Sequence, residues 1–135
     1  LKVPILLIAH GSKNKKFYEM VERAAEMLRE LHGGKVVVGY LMGSPSIEEA
    51  VQSIEEDTFV VVPFFISESS HVVKDVKKRV EKASNGKKVI YAKPLGDHPL
   101  VVRALYERFL EALQLYGEVP RERTSAAQGN AGNNL

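Results

Sequence analysis

Cysteine is absent from this chain of 135 residues, and so is tryptophan. Disulfides, thiolate metal sites and cysteine nucleophiles are therefore excluded. The lack of cysteine is compatible with a reducing cytoplasm, which is the expected location. Charge of one sign is lacking as well: 19 Lys and Arg stand against 17 Asp and Glu, a formal net charge of +2. So small an excess gives no argument for a nucleic-acid partner. No apolar run is long enough to cross a membrane, and the first, which ends in His10-Gly11-Ser12, has no signal-peptide cleavage pattern, so no membrane partner is expected. Several catalytic signatures are missing too. There is no Gly-x-Gly-x-x-Gly and no Gly-x-x-x-x-Gly-Lys-Ser/Thr for nucleotide phosphates, no His-Glu-x-x-His for a helical zinc site, and no Gly-x-Ser-x-Gly elbow for a hydrolase triad.

What is present is a regular alternation. Val3 to Ala9, Lys35 to Leu41, Thr58 to Ile66 and Lys88 to Ala92 read as four strands. The first and third are almost continuously apolar, the pattern of strands buried on both faces of a parallel sheet. Between them lie helix patterns. Phe17, Met20, Val21, Ala24, Leu28 and Leu31 recur at spacings of three and four, and Gly33-Gly34 ends that helix. Ser46 and Glu49 have capping-box spacing ahead of Ile47, Ala50, Val51 and Ile54. A third helix runs from about Ser70 to Ala83, and Asn85-Gly86 breaks the chain after it. A fourth runs from about Leu100 to Tyr116, with Leu105, Phe109, Ala112 and Leu113 expected to face inward. The length fits one α/β domain, placed at 1–122, with a polar, flexible tail over 123–135. The fold expected is a three-layer, flavodoxin-like one. It has a four-stranded parallel sheet in the order 2-1-3-4 and helices on both faces.

That order makes the first and third strands neighbours. Ligands of such sheets bind outside the carboxyl ends of the strands. Of the four histidines, His10 directly follows the first strand, and His71 follows the third across Ser67-Glu68-Ser69-Ser70. Imidazole can ligate a metal or take up a proton near neutral pH. Two such ligands are fewer than a structural metal takes, which suits an enzyme that must release its metal. Lys13, Lys15 and Lys16 follow the first histidine, and Lys74, Lys77, Lys78 and Arg79 follow the second; they read equally as solvated helix faces or as two clusters that an anionic ligand at the sheet mouth would meet. Glu68 could orient an imidazole or join a metal, although an exposed loop carboxylate is the commoner case. Ser12, Ser67, Ser69 and Ser70 read as turn and cap residues. His32 and His98 read as helix-end residues, Tyr40 as half-buried packing, Phe64 and Phe65 as core, and Met42 as a flexible wall near the mouth.

Four segments carry a resemblance. Ile8-Ala9-His10-Gly11-Ser12-Lys13 resembles the "AHGSR" opening of the sirohydrochlorin chelatases. Pro63-Phe64-Phe65-Ile66-Ser67 with His71-Val72-Val73-Lys74-Asp75-Val76 is similar to their hydrophobic strand, loop and "HVxxDI". Pro45 to Ala50 resembles "PSIxEA", and Pro94 to Leu100 resembles "PLGxHPLL". The likeness spans roughly residues 3 to 113, the length of the short cobaltochelatases of class II. It implies an ATP-independent lyase that inserts Co2+ into the tetrapyrrole polycarboxylate sirohydrochlorin on the anaerobic route to cobalamin. Co2+ is then the substrate metal, and no organic cofactor is expected. The resemblance further implies that His10 and His71 bind the metal and help remove the pyrrole protons, and that the chain works as a homodimer. Substrate-binding positions expected at the rim are Ser12, Lys13, Met42, Ser67, Ser69, Ser70 and Lys74. The larger relatives carry an acidic residue after the second strand, and Met42 stands near that place. Two alternatives stay open: a nickel or iron chelatase on the same tetrapyrrole, and a non-enzymatic flavodoxin-like module holding an anion or a partner at the strand ends.

Overall fold

A computed structural model describes residues 2–117. Its elements are β1 (Ile5–Ala9), α1 (Lys15–His32), β2 (Val36–Tyr40), α2 (Ile47–Gln52), β3 (Thr58–Pro63), α3 (Ser70–Ser84), β4 (Lys88–Tyr91) and α4 (Pro99–Tyr116). The sheet is parallel throughout, in the order β2-β1-β3-β4. The expected tail at 123–135 lies outside the described residues. The chain divides into two compact units, with the boundary between Gly96 and Asp97.

In the first unit the apolar runs become buried strands. Leu6 and Ile8 of β1 are fully buried on one face, with Ile47, Val51, Phe59, Val61, Val76 and Val80. Leu7 and Ala9 point to the other face, with Val21, Ala25, Val36, Val38 and Tyr40. Each large apolar side chain so enclosed contributes about 1.5–3 kcal/mol relative to exposure. Helix ends form where the sequence places caps. Asn14 accepts from Lys16 N–H at the start of α1, and Gly33 closes it in the left-handed conformation at φ +72°. Ser46 and Glu49 form the expected capping box on α2.

The third strand ends at Pro63, three residues before the end expected from hydrophobicity. Proline has no N–H for the ladder, and β3 lies between two neighbours. The chain still bonds beyond it: Phe64 N–H donates to Ile8 O at 2.7 Å, and Leu95 N–H donates to Phe65 O at 2.9 Å. Tyr40 is fully buried, where half-burial is expected, and its hydroxyl has no hydrogen-bond partner. Burial pushes that phenol up to about 12.

The second unit contains α4. His98 caps it, its Nδ1 accepting from Leu100 N–H at 3.1 Å, as expected for a helix-start residue. Taken by itself, α4 carries Leu105, Tyr106 and Phe109 as an apolar stretch. An apolar period shows that a face asks for cover, not what covers it.

A candidate metal-handling site at the strand ends

His10 is the first residue beyond β1. The following Gly11 takes φ +103°, and a Cβ there would stand 2.1 Å from Met42 O. Only glycine fits that close approach, which turns the chain sharply after the histidine. The approach is held by the backbone: Leu41 N–H donates to Ala9 O at 3.0 Å and Met42 N–H to His10 O at 2.9 Å.

The imidazole of His10 is held from the β3 side. Its ring packs on Phe65 with centroids 4.6 Å apart, and its Nε2 meets Oε2 of Glu68. Phe65 is buried, as its core reading expects, and the Glu68 side chain is only 17% exposed, whereas that of His10 is 47% exposed. Glu68 is therefore not the exposed loop carboxylate of the commoner case. One face and one edge of the imidazole are occupied, and nearly half of the side chain remains open to solvent.

His71 lies on the neighbouring strand's side of the mouth. As the expected helix from about Ser70 implies, it stands in the first turn of α3, whose N-cap is Ser69, accepting from Val72 N–H at 3.3 Å. The histidine is exposed. Among the described residues, no three His, Cys, Asp or Glu side chains are grouped so as to hold a metal ion. The structure thus joins His10, Phe65 and Glu68, and places His71 three residues after Glu68.

The expected rim residues are mostly open. Lys13, Met42, Ser67, Ser70 and Lys74 are exposed. Two serine hydroxyls serve the backbone: Ser12 Oγ accepts from Asn14 N–H at 2.9 Å, and Ser69 Oγ caps α3. Ser12 N–H donates to the Tyr18 hydroxyl at 3.2 Å, so this amide is engaged within the protein rather than offered to an anion. Arg79 leaves the basic cluster. Its guanidinium grips Glu48 of α2 with two bonds of 2.8 Å and donates to Leu41 O at 3.1 Å. That fork holds the Glu48 carboxyl down at about 2. Lys77 Nζ lies 5.2 Å over the Tyr91 ring. The first turns of α1 and α3 carry no acidic residue, while Lys15 and Lys16 open α1 and Lys74 stands early in α3. Helix N-termini are themselves electropositive, so the mouth favours anions.

Comparison with known proteins agrees with this arrangement. Residues 4–112 match the CbiX family. A relative from Sulfolobus acidocaldarius, named sirohydrochlorin cobaltochelatase, is 34% identical over 119 residues, spanning 85% of this chain and 96% of its own. One of the same name from Sulfurisphaera tokodaii is 32% identical, spanning 82% and 93%. The crystal structure of a cobalamin (vitamin B12) biosynthesis CbiX protein from Marinobacter aquaeolei superposes with a TM-score of 0.75 at 27% identity, covering 87% of this chain and all of that one. The sirohydrochlorin chelatase SirB of Bacillus subtilis, solved in complex with cobalt, shares the fold at a TM-score of 0.73 and 24% identity, with 82% of this chain matching 51% of that one. With this sheet order and a family match over residues 4–112, this chain belongs to the CbiX family.

Proposed function

We infer that the chain is an ATP-independent chelatase that inserts Co2+ into sirohydrochlorin. The observation that carries this reading is that both motif histidines follow adjacent parallel strands, on the carboxyl-end side of the sheet. His10 directly follows β1, and His71 is the second residue of the helix after β3. Relatives spanning nearly the same length are named for this reaction. Metal insertion must expel the pyrrole protons, so it needs a base beside the macrocycle as well as a donor for the cation. A neutral imidazole can serve as either, though not through one nitrogen at once. We assign these two duties to His10 and His71 together. Lys13 and Lys74, with Lys15 and Lys16, meet the carboxylates of the tetrapyrrole.

We also propose that the working unit is a homodimer. A tetrapyrrole needs more enclosing surface than one small sheet mouth offers. Sedimentation at working concentration tests this, and a fully active monomer would refute it.

The test of the site is a pair of variants. His10→Ala and His71→Ala should each abolish most cobalt insertion, followed by the shift in tetrapyrrole absorption and corrected for the spontaneous reaction. Both side chains are exposed, so the fold should survive. Wild-type rates in both variants would remove these residues from the mechanism. Parallel assays with Ni2+ and Fe2+ decide the metal, since affinity order follows the ion more than the site.

A further inference from the structure

We propose that Glu68 is a positioning residue for His10, fixing which ring nitrogen faces the reaction. The inference rests on the reading that His10 takes part in metal insertion. Glu68 approaches His10 through Oε2 on Nε2, from a position 58 residues away and with its own side chain largely covered. An ionised carboxylate can only accept a hydrogen bond. The contact therefore places the proton of the neutral ring on Nε2 and leaves the lone pair on Nδ1. Phe65, packed at 4.6 Å between centroids, limits rotation of the same ring. Edge and face are fixed together, by two residues of one segment, Phe65 and Glu68, that leads from β3 into α3. Nδ1 is then the atom that receives the cation or the pyrrole proton. Partners that orient an imidazole in this way typically change metal affinity or activity by about 10–100-fold when removed.

The experiment compares Glu68→Ala, Glu68→Gln and His10→Ala. Chelatase kinetics are read as kcat and KM. Two-bond proton–nitrogen NMR spectra of the histidine rings are read at alkaline pH. Glu68→Ala should lower kcat by about 10–100-fold with KM for sirohydrochlorin unchanged. It should also move the His10 nitrogen shifts from a fixed Nε2–H form toward the tautomer-averaged values of a free imidazole. Glu68→Gln keeps an acceptor oxygen and should stay near wild type in both readouts. The proposal falls if Glu68→Ala turns over at the wild-type kcat, or leaves the ring shifts unmoved. It falls equally if Glu68→Gln loses as much as Glu68→Ala, because the charge and not the acceptor would then matter. His10→Ala separates the two levels. Should it retain the wild-type rate, the site reading itself fails. Should it be inactive while Glu68→Ala is normal, only the role of Glu68 fails.

Discussion

Replacing Glu48 by Gln should loosen the clamp that holds α3, the helix that carries His71, against α2 and the end of β2. Glu48 receives both arms of the Arg79 fork at 2.8 Å, while the third guanidinium nitrogen reaches Leu41 O at 3.1 Å. The carboxyl stands at about 2 rather than 4.5, chiefly because of the hydrogen bonds from Arg79, with burial opposing. Taken at full value, that displacement corresponds to about 3.4 kcal/mol. The Glu48 side chain is 42% exposed, so solvent screening reduces the expectation to about 1–1.5 kcal/mol. The sign follows from a depressed carboxyl. Its stabilisation is fully present above about pH 4.5 and is lost as the pH falls through about 2. Urea unfolding is the assay. With a slope of about 1 kcal/mol per molar, the variant midpoint should lie roughly 1 M below wild type at neutral pH. The gap should shrink by roughly half or more at about pH 3. Equal midpoints at neutral pH would refute the clamp. A gap unchanged at low pH would show that it does not arise from the ionised carboxylate.

Lys13→Ala and Lys74→Ala should raise KM for sirohydrochlorin several-fold at most and leave kcat unchanged, since solvated ion pairs act as uniform binding; steady-state kinetics at two salt concentrations check this. Gly11→Ala should destabilise the fold by about 1 kcal/mol or more and depress insertion as well, because the added Cβ would meet Met42 O at 2.1 Å beside His10; unfolding curves and activity are measured together. Co2+ alone should bind the protein weakly, by about 7 kcal/mol or less, and titration calorimetry giving a nanomolar constant would contradict the open donor set described above.

The alternation of strands and helices was legible because buried parallel strands must be apolar on both faces and helices must show a three-to-four period. The same logic reaches the sheet order, the position of His10 directly after β1, and the helix after β3 that carries His71. It failed where partners come from far along the chain. Nothing local tells that the imidazole Glu68 reaches is that of His10, 58 positions earlier, rather than that of nearby His71. Nor does the run Lys77-Lys78-Arg79 reveal that its last member turns away to Glu48 on another helix. Tyr40 shows the limit of residue type as a guide: a phenol is usually given a partner, yet this one is enclosed by β2 and the Phe17-Tyr18 side of α1 without one.

The sparse donor set is consistent with the chemistry. A structural zinc site closes four ligands around its ion and gains about 10–16 kcal/mol from it. A protein that hands its cation to a macrocycle cannot hold it so tightly, because each increment of binding to the protein raises the barrier to transfer. Among the described residues no three metal-binding side chains converge. His10 is instead a single imidazole held rigidly on a strand end, with its Nε2 edge taken by Glu68 and its face by Phe65. The proposed transfer calls for a fixed donor without tight coordination, so that its nitrogen would stay in place for a proton or for the next cation. In the role proposed for His10, the fold would supply this by anchoring the imidazole directly after a buried strand.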